Sequence, residues 1–318
     1  MPVPPEVTSL VPVIAKAFAQ GRIVPFLGAG ASLIGRDAGF AHGSNLPTGG
    51  ELADYLALQA NYPGDWEKSL TRVSQFMLSR QGSGPLYSEL RDVFTVKLPP
   101  NPLHALLAGI TLRSKSPPAT IVITTNYDNL VENAMTAAGV AFDILTYVAN
   151  GDSRGRFRHT TSDGTVNKVL EDRNYTAIPF NKALRRLERP LVLKIHGTVS
   201  LDYEEDSYVI TEQDYIEYLA RKDVSDLLPT HVAEILAQKH FLFLGYSLSD
   251  WNLRVLLSRI WQRQRDKTYH SWAFNRKISE YDSDFWKKYD VECNEVELGD
   301  FTGALAASMD TVLGTTPP

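Results

Sequence analysis

Four short apolar segments, each followed directly by glycine or small polar residues, constrain the fold of this chain more than any other feature. They cover residues 23–27, 119–124, 190–195 and 241–244. Apolar runs rich in β-branched and aromatic residues are typical of strands buried on both faces of a sheet. In an open parallel α/β sheet, the ligand crevice lies at the carboxyl ends of the strands. The pattern therefore predicts an α/β fold with a site where these segments end.

The first segment runs into the turn Gly28-Ala29-Gly30-Ala31-Ser32. Glycine lets a backbone turn sharply and approach a ligand closely. A chain that then enters a helix directs its N–H groups and the positive end of the helix dipole towards an anion, usually a dinucleotide pyrophosphate. Leu33 stands where the dinucleotide fingerprint has its third glycine. From this motif alone, nucleotide binding and a plain tight turn therefore both remain open.

The other three segments end at polar motifs of a similar kind, which are Thr125-Asn126-Tyr127-Asp128, His196-Gly197 and Gly245-Tyr246-Ser247. Taken singly, Asn126 or Asp128 could cap the following helix, His196 could be a core histidine, and Ser247 could be a turn residue. The coincidence of four strand ends is harder to explain in that way. We therefore predict one pocket that gathers side chains more than 200 residues apart in sequence.

Helical patterns fill most of the sequence between these segments. Capping patterns at Thr48-Gly49-Gly50-Glu51, Asn101-Pro102 and Thr211-x-x-Asp214 predict helix starts. The helical block before the second segment is too long for a simple crossover, which predicts an inserted helical module or lid at about 46–114. A mobile loop is expected at 34–45 and a loop-rich insertion at about 150–188. Further helices are predicted at 11–20, 129–138 and 250–261, the last capped by Ser249, and the last strands at 268–274 and 289–292.

Composition narrows the setting in which the chain works. A net charge of −5 predicts no general attraction to nucleic acid or to anionic membranes, and the basic clusters at 154–158 and 182–189 are interpreted as solvated faces or loops. No segment approaches the ~20 apolar residues that span a bilayer, and the N-terminus lacks the regions of a secretion signal. Cys293 is the only cysteine, which excludes an internal disulfide and fits a reducing cytoplasm.

No metal is expected at the site. None of the seven histidines pairs with another at the i, i+4 spacing of a helical zinc motif. Few carboxylates fall near the predicted strand ends, and Asp128 and Asp250 are the clearest. A glycine turn and a helix N-terminus can neutralise a bound phosphate without magnesium.

Taken in order, the four motifs resemble those of the sirtuins, and more specifically the sirtuin-like NADase domains of bacterial anti-phage defence proteins. The run Phe243-Leu244-Gly245-Tyr246-Ser247-Leu248-Ser249-Asp250, followed by Asn252-Leu253, is especially similar to that branch. The resemblance extends from about residue 20 to residue 275. It implies a single sirtuin-like NAD-binding domain over residues 1–318, with a Rossmann-like open parallel sheet, helices on both faces and an inserted, mostly helical small module.

The resemblance also implies a role for each residue of the predicted pocket. Asn126 would contact the nicotinamide ribose and position the nucleophile, and His196 would be the catalytic base. Asp128 would hold the carboxamide side of nicotinamide. The remaining positions would bind the rest of NAD+: the phosphates at Gly28, Ala29, Gly30 and Ser32, and the phosphate or adenine-ribose end at Gly245 and Ser247.

Two departures from the family pattern affect the expected activity. Deacetylating sirtuins have a four-cysteine zinc module, which a chain with one cysteine cannot build. The family's Asp-Phe-Arg element after the glycine turn is represented at best by Arg36-Asp37. Protein deacetylation is therefore not the expected activity, and water is the expected acceptor.

Cleavage of the nicotinamide–ribose bond passes through an oxocarbenium-like state and releases a neutral leaving group, so no general acid is required. The expected activity is NAD+ hydrolysis to ADP-ribose and nicotinamide, which would deplete NAD+ in abortive anti-phage defence. Two alternatives stay open. One is ADP-ribosyl transfer or formation of a cyclic ADP-ribose. The other is a non-catalytic module that binds NAD+ or ADP-ribose, although binding alone does not need a base such as His196.

An NADase must be restrained in its own cell, and the sirtuin-like region fills nearly all 318 residues. We therefore expect control by homo-oligomerisation or by a partner defence subunit, such as a HerA-like ATPase or a short Argonaute. The alternative is that the chain is a fragment of a longer protein.

Overall fold

The computed structural model describes residues 3–64, 66–114, 120–171, 178, 180–181, 186–200, 202–220, 228–247, 254–255, 257–258, 260 and 269–314. Parts of several predictions lie outside these residues. They are the cap Ser249 and most of the predicted helix 250–261, the motif residues Leu248–Leu253, and Lys182 and Arg185 of the second basic cluster.

Among the described residues, nine strands form one sheet in the order β13-β12-β11-β1-β2-β8-β3-β4-β5. The strands from β13 to β3 pair in parallel, and β4 and β5 add antiparallel. The predicted α/β fold with a large, mostly parallel sheet is confirmed. In chain order the strands are β1 (Ile23–Leu27), β2 (Ile121–Thr124), β3 (Asp143–Tyr147), β4 (Phe157–Thr161), β5 (Asn167–Val169), β8 (Leu191–Lys194), β11 (His240–Leu244), β12 (Ser271–Asn275) and β13 (Val291–Glu295).

Four further strands form two small antiparallel pairs outside this sheet. They are β6 (Phe180–Asn181) with β7 (Arg186–Leu187), and β9 (Gly197–Thr198) with β10 (Ser207–Tyr208). The helices are α1 (Pro5–Ala19), α2 (Ala29–Ser32), α3 (Gly49–Gln59), α4 (Leu70–Gln81), α5 (Ser83–Phe94), α6 (Pro102–Arg113), α7 (Leu130–Ala137), α8 (Glu212–Leu219), α9 (Thr230–Leu236), α10 (Glu280–Lys287) and α11 (Leu298–Leu313).

The register of the central strands brings the predicted motifs together. Leu27, the last residue of β1, pairs with Leu244 on one side and with Thr124 on the other, and Thr124 pairs in turn with Lys194. The strands therefore end level with one another. Their next residues, which carry the polar motifs, lie side by side along one edge of the sheet.

Each central strand contributes to two cores because successive side chains point to opposite faces. In β8, Val192 packs on one face with α1, α6, α7 and α11, whereas Leu191 and Leu193 pack on the other. That second face is covered by α9, by Trp286 of α10 and by Tyr218 of α8. The predicted helices on both faces are confirmed.

The segment of about 150–188, predicted to be a loop-rich insertion, contains β4 and β5 of the main sheet. In β4 the alternate residues Phe157, His159 and Thr161 are buried and those between are half-buried. Two of the buried positions are polar, and the sequence therefore lacks the apolar alternation that indicates a strand. The strand β3 was not predicted either.

Helices α3, α4 and α5 pack around a separate core, whose buried members include Leu56, Val73 and Leu90. This module meets the sheet domain through Tyr127 and Tyr208, which belong to the same core. Helix α6 packs instead with α7 and α11 beside the sheet. Three of the four predicted helix caps are confirmed, at Thr48, Asn101 and Thr211, and the fourth, Ser249, lies outside the described residues.

Candidate functional site

A cavity of about 930 Å³ lies at the carboxyl edge of the parallel strands, under the segment that leads into the helical module. Eight of the nine residues predicted to form the site line it, and Gly28 does not. The eight are Ala29, Gly30, Ser32, Asn126, Asp128, His196, Gly245 and Ser247.

The glycines bring two strand-end loops into backbone contact. A Cβ atom on Gly28 would lie 2.5 Å from the Cα of Tyr246, and one on Gly30 would lie 2.9 Å from the Cα of Gly245. Gly245 has a φ of +62°, and a Cβ there would lie 2.3 Å from the nitrogen of Ala31. No side chain fits at these positions, so the loops after β1 and β11 approach each other only because of the glycines.

The same contact uses two of the N–H groups that were expected to face an anion. The Gly28 N–H donates to the Leu244 carbonyl (3.1 Å), and the Gly30 N–H donates to the Gly245 carbonyl (2.9 Å). Helix α2, which follows the turn, has only four residues, Ala29–Ser32. These glycines therefore have a packing function that the sequence analysis missed, and their phosphate-binding role stays a prediction.

Ser32, Asn126 and Asp128 form one hydrogen-bonded network. The Asn126 Nδ2 donates to the Gly28 carbonyl and to Ser32 Oγ, both at 3.0 Å. Ser32 Oγ donates to Asp128 Oδ2 at 2.9 Å. The other carboxylate oxygen of Asp128 accepts a hydrogen bond from the Leu130 N–H at 3.1 Å. This contact at the start of α7 corresponds to the alternative role of Asp128, which is capping of the following helix. The network fixes the amide of Asn126 in one orientation at the cavity wall.

His196 lies at the end of β8 with its side chain 6% exposed. Its ring meets the rings of Tyr215 and Tyr218 edge to face, with centroids 5.5 and 5.9 Å apart. The next residue, Gly197, has a φ of +90°, and a Cβ there would lie 2.0 Å from the Ser207 carbonyl oxygen. Glycine is therefore required after this histidine, because β10 passes directly over the backbone.

An ion pair that was not predicted braces the segment 34–45. Arg36 donates to both carboxylate oxygens of Glu51, at 2.9 and 3.0 Å, and also to the Leu46 carbonyl at 2.8 Å. Burial alone would raise the pKa of Glu51, but hydrogen bonds from Arg36, Thr48 and Phe40 outweigh it and lower the pKa to about 2. These contacts join the segment that was expected to be mobile to the first turn of α3. Arg36 and Asp37 both line the cavity.

Two charged or titratable residues behind the cavity were also missed. Lys194 is 1% exposed and binds the loop that carries Asp128. His104 of α6 is 1% exposed as well, and burial lowers its pKa although the charge of Asp128 raises it. The sequence did contain a signal for Lys194, because a lysine at the end of an apolar strand, two residues before His196, is unusual. His104 gave none, because it lies among the apolar residues of its helix.

The far end of the cavity is polar and comes from the last two strands. Asn275 is the last residue of β12, Arg276 and Lys277 follow that strand, and Glu297 and Asp300 come after β13. The Nε of Arg276 lies 2.8 Å from Glu297 Oε1. The other motifs were identified as polar residues directly after a predicted strand. The same criterion would have identified these residues.

The described part of the chain contains no group of three or more histidine, cysteine, aspartate or glutamate side chains placed to hold a metal ion. Within the same residues, no helix combines the length and the apolar character required to cross a bilayer.

Comparison with known proteins gives relatives over most of the chain. It is 26% identical over 271 residues to Defense-associated sirtuin 2 of Bacillus subtilis, a match that covers 83% of this chain and 21% of that protein. It is 26% identical over 277 residues to NAD(+) hydrolase ThsA of Acinetobacter baumannii (strain 532279), covering 85% and 45%. For NAD(+) hydrolase ThsA of Cytobacillus dafuensis the identity is 26% over 264 residues, covering 83% and 43%.

The matched region therefore spans less than half the length of each of these three relatives. The family model described as SIR2-like domain matches residues 120–293, which is more than half of the sequence. That match includes β2, β8 and β11, and with them the motifs at Asn126, His196 and Gly245. The chain belongs to the SIR2-like domain family.

Proposed function

We propose that this chain hydrolyses NAD+ at the nicotinamide–ribose bond and releases ADP-ribose and nicotinamide. The observation that carries the proposal is the convergence of four strand-end motifs on one cavity of about 930 Å³. The names of the relatives support it, since several are NAD(+) hydrolases and one is a defence-associated sirtuin.

The proposed roles are those that the family resemblance implies, and they are supported by the place of these residues at the cavity. Asn126 orients the ribose or the attacking water through the amide that Gly28 and Ser32 hold in place. His196 is the base that assists the attack of water, since an imidazole can accept a proton near neutral pH. Asp128 is proposed to hold the carboxamide side of nicotinamide. The cavity-lining turn residues Ala29, Gly30 and Ser32 are proposed to bind the phosphates, and Gly245 and Ser247 the phosphate or adenine-ribose end.

The reaction requires the protein to bind NAD+, to orient its ribose and to deliver water. Nicotinamide leaves as a neutral molecule, so the chemistry needs no group to protonate it, and the sugar passes through an oxocarbenium-like state. Holding the reacting atoms in the attack geometry supplies a large part of the rate. A base and an oriented amide on one wall of the cavity fit that requirement.

We further propose that the activity belongs to anti-phage defence by NAD+ depletion in the cytoplasm. The relative named as a defence-associated sirtuin and the lone, half-buried Cys293 support this setting. An enzyme that consumes NAD+ must be silent until it is triggered, so we propose control through a homo-oligomer or a partner subunit, such as a HerA-like ATPase or a short Argonaute. Light scattering after size exclusion tests this, and a monomer that is fully active alone would contradict it.

The test of the activity is incubation of the purified protein with NAD+, with the products resolved over time. Asn126→Ala and His196→Ala should stay folded and should lower nicotinamide release by at least about 100-fold, as expected for loss of positioning or of a general base. His42→Ala is the matched control, because His42 is exposed and does not line the cavity.

The products decide between the proposal and its alternatives. Equal amounts of ADP-ribose and nicotinamide support hydrolysis. A cyclic product or a modified acceptor indicates transfer, and tight NAD+ binding without any product indicates a regulatory module. A folded His196→Ala protein with nearly normal turnover would contradict the assignment of the base.

A further inference from the structure

Lys194 is a charged residue in one of the most buried parts of the sheet. It ends β8, whose other residues are apolar, and its side chain is 1% exposed. Val192, two residues earlier, faces the helices on the α7 side of the sheet, and Lys194 reaches the same helix through Glu132. A buried ammonium group is stable only when it is fully paired, so its partners indicate what it does.

Within the described residues, the partners of the ammonium group belong to one short segment. The Nζ atom lies 2.8 Å from Glu132 Oε1 and 3.3 Å from Asn129 Oδ1, and it donates to the backbone carbonyl of Asp128. An ammonium group has three N–H donors, and these three acceptors match them in number. Lys194 therefore ties β8 to the end of the loop after β2 and to the first turn of α7.

The same loop is held on its other side by the glycine turn. Ser32 contacts both Asn126 and Asp128, as described above. The segment 125–129 is thus held between Ser32 and Lys194. His196 follows Lys194 by two residues, in the turn after β8. Lys194 is thus one of the contacts that set the position of the Asn126 loop relative to His196, beside the Val199 N–H and the Thr198 hydroxyl, which both donate to the Tyr127 carbonyl.

We propose that Lys194 is a positioning residue for NAD+ cleavage, which holds the segment 125–129 in register with His196. The proposal rests on the proposed function, because positioning matters only if these two residues act on NAD+. Lys194 does not line the cavity and acts through the residues that do. A purely structural alternative is that the Lys194–Glu132 ion pair only stabilises the fold.

Three variants separate positioning from stability. Lys194→Met keeps a long unbranched side chain but removes the charge, and Glu132→Gln removes the ion pair while leaving the contacts of Lys194 with Asp128 and Asn129. The double variant removes both charges, so no lone buried charge remains, which restores stability. Lys194→Met should lower kcat by about 10- to 100-fold with KM within about threefold, because the glycine turn is unchanged.

The decisive comparison is between melting temperature and kcat. In the double variant the melting temperature should return towards the wild-type value while kcat stays as low as in Lys194→Met. In Glu132→Gln the melting temperature should fall while kcat stays within about threefold of wild type. Recovery of kcat together with stability in the double variant, or a folded Lys194→Met protein with wild-type kcat, would overturn the proposal. If Lys194→Met does not fold, the comparison of kcat between the double variant and Glu132→Gln still tests the proposal.

Amide hydrogen exchange distinguishes failure of this proposal from failure of the proposed function. The peptide covering residues 125–132 should exchange about tenfold faster in the double variant than in Glu132→Gln, whether or not NAD+ is the substrate. Wild-type protein that releases no nicotinamide refutes the NAD+ hydrolase proposal, and the exchange result still decides whether Lys194 holds the loop. Equal exchange in the two variants refutes the positioning role.

Discussion

Replacement of Ser32 by alanine should both destabilise the protein and slow NAD+ cleavage. The hydroxyl of Ser32 accepts from Asn126 Nδ2 at 3.0 Å and donates to Asp128 Oδ2 at 2.9 Å. It therefore joins the glycine turn to the loop after β2, together with the contact of Asn126 with the Gly28 carbonyl. Alanine removes both contacts and adds no new group.

The expected cost follows from the nature of the two contacts. A hydrogen bond to a charged group contributes about 1.5–3 kcal/mol and a neutral one about 0.5–1.5 kcal/mol. Because Asp128 is only 8% exposed, water replaces the lost donor poorly. We therefore expect a loss of about 2–4 kcal/mol in the free energy of unfolding. For a chain of this size that corresponds to a fall of about 3–6 °C in Tm.

Calorimetry and an NAD+ turnover assay test the Ser32→Ala prediction together. Nicotinamide release should fall by about tenfold, since Asn126 keeps one anchor, the Gly28 carbonyl, but loses the other. Ser114→Ala is a matched control. Ser114 directly follows α6, and its hydroxyl donates to the carbonyl of Ile110 within that helix. A Ser32→Ala protein with wild-type Tm and wild-type turnover would refute the role given to this network.

Three further predictions concern pH and metal ions. The lowered pKa of Glu51 contributes stability that is present above its ordinary pKa near 4.5 and is lost as the pH falls towards about 2. The stability of Glu51→Gln should therefore depend less on pH in that window, as measured by circular dichroism. Burial lowers the pKa of His270, but hydrogen bonds with Asp290 (2.9 Å) and Glu292 (3.1 Å) outweigh it and raise the pKa. Its contribution to stability is therefore complete below the ordinary histidine pKa of 6.5 and is lost as pH rises through the raised value. Melting curves of His270→Gln should lack this alkaline loss. NAD+ cleavage should continue in excess EDTA at an almost unchanged rate, because a glycosidic bond to a cationic pyridinium is already activated; loss of turnover that magnesium restores would contradict this.

Local patterns in the sequence were sufficient to predict the central strands and the edge at which they end. Apolar runs identified β1, β2, β8 and β11 because these strands are buried on both faces and tolerate no charge along most of their length. The helix caps at Thr48, Asn101 and Thr211 were predictable for a similar reason, since the capping contact joins residues only two or three positions apart.

Contacts between distant segments could not be predicted in this way. The sequence around Gly28 does not indicate that Tyr246 packs where a side chain at position 28 would lie. The sequence around Lys194 does not identify Asp128 and Glu132 as its partners. The strand β4 was missed because its buried positions include polar residues whose burial depends on pairing with β3.

The sequence by itself determined the fold class, the strand ends and the residue types available for chemistry at one edge of the sheet. Only the tertiary structure decided the register that sets Leu27, Thr124, Lys194 and Leu244 level, and with it the cavity wall. The physical reason is that burial and capping are short-range properties of a sequence, whereas register, the close packing of glycine loops and the pairing of a buried charge depend on segments that meet only when the chain is folded.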